Sequence, residues 1–359
     1  MAAVESNVQK TGDIAERLLR WYDVHARALP WRSPPGTPPP HPYRVWLSEI
    51  MLQQTTVAAV IPYFERFTAR WPDVAALAST NDADLMAAWA GLGYYARARN
   101  LLACARAIVA EHNGRFPASE DALRKLPGIG DYTAAAIAAI AFGKRAVVVD
   151  ANVERVVARL FAIQTPLPAA KREIREACDA ITPHHRPGDF AQAMMDLGAT
   201  VCSVRNPACL TCPLSPRCNA RKAGIAERLP VKLPKAAKPN RTGTAYWIER
   251  DGNVWLVKRS AKGMLAGMRA LPDDGWAARR DGDSQPPFAA EWRVLDEAVP
   301  HVFTHFSLTL SLALTSSPVH AATLGEGEWW PVKSLDSAGL PTLFMKAARL
   351  VLKQANGRA

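Results

Sequence analysis

Up to about residue 240 the apolar residues recur at three- and four-residue spacing, the period of helices with one buried face. This spacing predicts helices over Ile14–Leu29, Tyr43–Ala59, Tyr63–Arg70, Asp82–Ala90, Ala96–His112, Glu120–Lys125, Tyr132–Phe142, Ala151–Ile163, Ala170–Ile181 and Asp189–Thr200. Leu29-Pro30-Trp31-Arg32 closes the first, and the proline-rich Ser33–Pro42 must be an extended loop. Strand signals are scarce here, so the first part reads as all-helical. Between Arg221 and Arg241 stand seven Lys/Arg, one Glu and the prolines Pro230, Pro234 and Pro239, a basic, semi-rigid linker. Beyond it the pattern alternates over Thr244–Ile248, Val254–Lys258, Phe306–Leu314 and Trp329–Val332, and Leu340–Gln354 returns to helical spacing. The expected organisation is a mainly α region over 1–228, a linker over 229–242 and a separate α+β domain over 243–359.

Composition adds a partner class. The 359 residues carry a net charge of +11, which favours a polyanion such as nucleic acid. At 49% hydrophobic and 21% charged, the chain has the balance of a soluble globular protein. No apolar run approaches the roughly 20 residues of a membrane span, and MAAVESNVQKTGD has no apolar signal core. A cytoplasmic, nucleoid-associated monomer is the expectation.

Three constellations carry candidate chemistry. Leu126-Pro127-Gly128-Ile129-Gly130 is a glycine-punctuated turn at a helix start, where outward backbone N–H groups can hold a phosphate. Cys202, Cys209, Cys212 and Cys218 form one short loop, enough thiolates for a Zn²⁺ ion or a [4Fe–4S] cluster; spacing alone leaves the two open. Arg205, Arg217, Arg221 and Lys222 make that loop basic, suited to docking a DNA backbone. Cys104 and Cys178 sit in helical patterns as core thiols. The third constellation is a pair of carboxylates. Glu49 is the only charged residue from Val45 through Phe64, so it either faces solvent from a buried helix or sits in an apolar pocket, where desolvation would make it a neutral-pH acid. Asp150 precedes Ala151 as a helix N-cap, a place compatible with staying ionised. An acid and an ionised carboxylate are what cleavage of an N-glycosidic bond requires, once the base has left the stack.

Gly128-Ile129-Gly130, Asp150 and the four cysteines resemble the helix-hairpin-helix iron–sulfur superfamily of DNA glycosylases that includes endonuclease III. VWLSEIMLQQT (Val45–Thr55), GLGYYARARNL (Gly91–Leu101) and QAMMDLGA (Gln192–Ala199) narrow the resemblance to the A/G-specific adenine DNA glycosylases. It is dense from Trp21 to Cys218 and looser beyond. The resemblance implies a six-helix barrel, a [4Fe–4S] lobe, and a substrate of adenine opposite 8-oxoguanine or guanine in double-stranded DNA. It places Glu49 as the acid protonating adenine N7 and Asp150 as the stabiliser of the sugar cation, with Tyr132 and Asn152 beside them. It puts Trp31, Arg32, Leu52 and Gln192 at the adenine pocket, Gly128 and Gly130 at the DNA backbone, and Gln54, Thr55, Leu92 and Tyr94 around the lesion. Gly91 and Gly93 predict an exposed tight loop there, as a wedge requires. Bifunctional relatives carry a lysine nucleophile where this chain has Tyr132, and a phenol forms no imine, so base removal without strand cutting is expected.

The C-terminal part resembles a Nudix fold, with Lys258–Pro272 as its early loop, but lacks the acidic run that holds Mg²⁺ for pyrophosphate hydrolysis. It is expected to recognise 8-oxoguanine through a loop usually written F-S-H, here Phe303-Thr304-His305. Tyr132 and the extra domain oppose a glycosylase/lyase acting on oxidised pyrimidines. The paired carboxylates oppose an inert iron–sulfur DNA-binding module, and the missing acidic run opposes a Nudix hydrolase.

Overall fold

The computed structural model describes residues 2–234, 237–260, 264–315 and 324–356. Two compact units emerge: Met1–Thr80 with Asn100–Pro234, and Asn81–Arg99 with Lys235–Ala359.

The first unit is helical. It contains α1 (Ala2–His25), α2 (Pro42–Leu52), α3 (Val57–Arg70), α4 (Val74–Ala78), most of α6 (Ala96–His112), α7 (Glu120–Leu123), α8 (Asp131–Phe142), α9 (Ala151–Phe161), α10 (Lys171–Ile181), α11 (Pro187–Thr200) and α12 (Asn219–Lys222); α5 (Asp82–Trp89) belongs to the second unit. At the centre, α8 is buried from Thr133 through Ala141, and its run of alanines lets α2 and α11 pack against it. It stops at Gly143, whose φ of 61° is the left-handed conformation that glycine adopts freely. Helix α11 comes close to its neighbours because it carries glycine at the contacts. A Cβ on Gly188 would lie 2.5 Å from the Ala139 carbonyl oxygen, and one on Gly198 2.6 Å from Asn152 Cβ.

One expected element divides in two. Tyr43–Ala59 is not a single helix: α2 ends at Leu52, Gln54 takes a φ of 61°, and α3 starts at Val57. Thr56 causes the restart, its side chain accepting the Ala59 N–H as an N-cap, and the helical spacing carries on smoothly across the break. The predicted Tyr63–Arg70 helix is the second half of α3. The segment assigned to the linker is in part ordered. Leu167 N–H donates to the Val231 carbonyl, and the first strand already begins at Asn240.

Among the described residues the second unit is built on a seven-stranded sheet. Its strands are β1 (Asn240–Arg250), β2 (Asn253–Lys258), β3 (Arg269–Ala270), β4 (Arg293–Val294), β5 (Val299–Val302), β6 (Ser307–Thr315) and β7 (Glu328–Pro331), in the order β3-β2-β1-β6-β4, with β5 also on β6 and β7 on β2. β1 and β6 run parallel; the other pairs are antiparallel. Leu308, Leu310 and Leu312 alternate inward along β6, as a half-buried strand requires. They meet Trp247, Trp276 and the buried Leu343, Phe344, Ala347 and Val351 of α13 (Thr342–Asn356). The strands missed from sequence, β3, β4 and β5, are two to four residues long, too short for alternation to register. Part of the expected early loop, 261–263, lies outside the described residues.

Candidate active site

Helices α2, α8, α9 and α11, with the segment after α1, enclose a cavity of about 400 Å³. Trp31, Arg32, Glu49, Leu52, Gln54, Thr55, Tyr132, Asp150, Asn152 and Gln192 all line it, so ten residues proposed from sequence converge on one space. The volume lies within the range of small-molecule sites.

Glu49 reaches the cavity from a helix buried on nearly every side and is itself only 6% exposed. The solvent-facing alternative is excluded. Burial pushes its carboxyl up to about 7, with the Asp150 charge adding to the rise. The Tyr132 hydroxyl hydrogen-bonds to Glu49 and, with the Arg32 guanidinium, holds the value back. A carboxyl with this value changes protonation near neutral pH, where an acid catalyst is most effective. The Tyr132 phenol is pushed well above its usual range by the same burial and by both carboxylates, so it stays neutral.

Asp150 lies in the opposite kind of environment. It is the N-cap of α9: Oδ1 accepts the Val153 N–H at 2.7 Å and Oδ2 accepts Asn152 Nδ2 at 3.0 Å. Both bonds fix the carboxylate in place at the start of α9, its oxygens turned to N–H donors. Asn152 is held in turn by Arg155, whose Nη2 donates to Asn152 Oδ1 at 2.9 Å and to the Gly198 carbonyl at 2.6 Å.

On the remaining walls, Trp31 is buried edge-on to Phe64 with ring centroids 5.2 Å apart. Gln192, 4% exposed, donates Nε2 to the Gly188 carbonyl, and its Oε1 has no partner among the described residues. Arg27 and Asp196 were not anticipated. Asp196 is fully buried and binds both Arg27 and Arg32. Its signal was present, since it stands one helical turn after Gln192 on the same face of α11.

At Leu126–Gly130 the sequence expectation splits. Gly128 has a φ of 75°, and a Cβ there would lie 2.7 Å from Asn100 Cβ, so both conformation and space demand glycine. Gly130 does not share this. Its φ of −93° is extended, and it caps α8 without a side-chain bond, leaving the first N–H groups of that helix unmasked.

The four cysteines line one small cavity together with Arg159 and Arg221, each thiol half-buried. Arg159 binds the loop through the carbonyls of Cys202, Ser203 and Val204 and donates to Cys202 Sγ at 3.3 Å. Arg155 Nε reaches the Cys202 carbonyl at 2.8 Å. Among the described residues no group of three or more His, Cys, Asp or Glu is placed to hold a single metal ion. Cys104 and Cys178 are buried, as expected of core thiols.

Within the second unit, Tyr94 is 52% exposed and takes a φ of 49°. Leu92 does not match its expectation: it is only 6% exposed. The Gly91–Gly93 turn is folded back, because Trp89 Nε1 donates to the Gly93 carbonyl and Arg97 Nη2 to those of Leu92 and Gly93. At the start of β6, Thr304 and His305 are exposed, whereas Phe303 stacks on Phe306 with centroids 4.7 Å apart. An aromatic anchor thus presents two polar side chains to solvent.

Comparison with known proteins agrees with this layout. Residues 47–184 match the HhH-GPD superfamily base excision DNA repair protein model, and residues 243–350 the NUDIX domain model. Human adenine DNA glycosylase is 33% identical over 95% of this chain and 74% of its own length. The adenine DNA glycosylase of Buchnera aphidicola subsp. Acyrthosiphon pisum is 31% identical over 92% of this chain and 95% of its own. Among solved structures, a thermostable thymine-DNA glycosylase superposes with a TM-score of 0.54 at 29% identity, over 60% of this chain and 98% of that one. Endonuclease III in a non-covalent DNA complex gives 0.51 at 23% identity, over 61% and 98%, a likeness of fold. The chain belongs to the adenine DNA glycosylase family of base excision DNA repair enzymes.

Proposed function

We propose that this enzyme removes adenine mispaired with 8-oxoguanine or guanine in double-stranded DNA, leaving an abasic site in an uncut strand. The observation that carries the reading is the pair of carboxylates lining one cavity in opposite environments, Glu49 buried and proton-retaining, Asp150 capped by N–H donors. The flipped adenine enters against Trp31 and Leu52, and the unpartnered Gln192 Oε1 accepts from its amino group. Glu49 gives its proton to N7. The C1′–N9 bond then breaks with its electron pair going to the base, and the Asp150 carboxylate stabilises the cationic sugar. Water adds at C1′ and passes its surplus proton to Asp150. Tyr132 orients Glu49 through its hydroxyl and offers no amine for an imine.

Cys202, Cys209, Cys212 and Cys218 would hold a [4Fe–4S] cluster. Their donor set suits it: four thiols around a single cavity, flanked by guanidinium groups that offset thiolate charge. In this reading the group is structural, holding the basic loop in shape for the DNA backbone. Thr304 and His305 contact 8-oxoguanine, and the exposed Tyr94 probes the duplex. The enzyme acts as a monomer at the nucleoid in the cytoplasm.

The test is a duplex with A opposite 8-oxoguanine, analysed with and without alkali. Free adenine should appear, with strand breaks mainly after alkali. Scission without alkali would indicate a lyase, and tight binding with no adenine released an inert module.

A further inference from the structure

One buried carboxylate at the cavity has no part in the reaction as described. Asp196 has a fully buried side chain. Its Oδ1 accepts Arg27 Nε and Nη2, each at 2.6 Å, and its Oδ2 accepts the Arg27 backbone N–H at 3.0 Å and Arg32 Nη1 at 2.7 Å. Both arginines line the base cavity. Arg27 retains some exposure, at 29%, whereas the Arg32 side chain is buried at 7%. One negative charge is therefore shared by two positive ones at a wall facing the acid catalyst.

A buried charge is costly unless it is paired, and a single arginine would suffice to pair Asp196. The second arginine has a consequence for chemistry. The charged and titratable groups that share the cavity with Glu49 are Tyr132 from α8, Asp150 at the start of α9, and Arg27 and Arg32 from the segment after α1; Gln192 from α11 is neutral. Of the two cations, Arg32 acts on Glu49 directly: its field pulls the proton off Glu49 and opposes a developing sugar cation. Around Asp196 itself stand Arg27, Arg32 and the buried Tyr22, whose hydroxyl has no partner among the described residues and is kept neutral by burial.

We propose that Asp196 is a positioning residue for adenine excision: it clamps Arg27 and Arg32 at the cavity wall and cancels one of their two charges, so that Glu49 keeps its proton and the sugar cation forms against a weaker opposing field. The role rests on the glycosylase reading above. It differs from a packing role because it predicts a change in the pH dependence of the rate, with a sign.

The experiment is single-turnover adenine release by the full-length protein across the pH range, on a duplex with A opposite 8-oxoguanine. Asp196→Asn leaves two uncompensated guanidinium groups. The alkaline fall in rate should move to lower pH by about one unit, and the rate at neutral pH should drop about tenfold. Substrate affinity, measured in a Glu49→Gln background, should stay within about threefold. Adding Arg27→Gln to Asp196→Asn restores the charge balance and should return the alkaline limb toward its wild-type position. Should Asp196→Asn fail to fold, Arg27→Gln alone decides. It leaves Asp196 to Arg32, and the limb should move upward by a few tenths of a unit. A folded Asp196→Asn protein with an unmoved limb, a double variant no closer to wild type than the single, or an unmoved limb in Arg27→Gln would overturn the proposal. A wild-type protein releasing no adenine would overturn the glycosylase reading and this role with it; an active wild type with unmoved limbs overturns the role alone.

Discussion

The base cavity and the loop before β6 are built in opposite ways. The cavity is enclosed by helices, and its polar groups are set by bonds already made: Asp150 by a helix start and Asn152, Glu49 by a phenol, Arg32 by Asp196. The loop fixes only its aromatic base, Phe303 on Phe306, and leaves Thr304 and His305 in solvent. Groups that must stabilise charge at an exact place are better held beforehand, because reorganisation during the reaction costs rate. Groups that read a lesion in a duplex have to remain exposed until the duplex arrives. The cavity should therefore govern rate, and the loop discrimination.

The comparison breaks most readily at Glu49. Glu49→Gln keeps the shape of the side chain and removes the proton it delivers. Single-turnover release should fall by about 10³-fold or more, with affinity for the mispaired duplex retained. Normal turnover would remove Glu49 from the chemistry. Asp150→Asn should cost about 10²-fold in the same assay, and because asparagine also caps helices, the melting temperature should change little. A collapse of stability alongside the rate would show that Asp150 matters chiefly as a cap.

The buried acid has a cost that can be measured. In the unfolded chain Glu49 titrates near 4.5, and in the folded protein near 7, so the folded state binds the extra proton between these values. Stability contributed by the protonated group is present below the lower value and lost as pH rises through the higher one. At mildly alkaline pH Glu49→Gln should thus be more stable than wild type by about 2–3 kcal/mol, the difference vanishing toward the acid side. Thermal melts at the two pH values check this, and equal shifts at both would contradict it.

The smallest effects belong to the loop. Thr304→Ala or His305→Ala should weaken binding to A opposite 8-oxoguanine by about five- to tenfold, leave binding to A opposite G nearly unchanged, and leave the rate at saturating enzyme intact. A rate loss as large as that of Asp150→Asn would erase the division of labour.

The same contrast explains what the sequence could disclose. Glu49 and Asp150 stand out because each is a lone carboxylate beside apolar helix, a local feature. The cysteine loop is local as well. Asp196 and Arg27 escaped because their meaning lies in a contact 169 positions apart along the chain. The division of Tyr43–Ala59 escaped because Gln53–Thr56 fits helical spacing, and only Thr56 turning to cap α3 reveals the break. That break opens the corner where Gln53, Gln54 and Thr55 line the cavity. Leu92 was misjudged for a similar reason: its glycines favour a tight turn, but Arg97 and Trp89 decide which side of the turn is covered.

Glu49, protonated by burial, is proposed to start the reaction, with Asp150 stabilising the sugar cation. The most direct test is the pH dependence of single-turnover adenine release by the wild-type protein at saturating concentration. The account predicts a rate that falls as pH rises, with a midpoint near 7. A rate that stays level well into the alkaline range would contradict it.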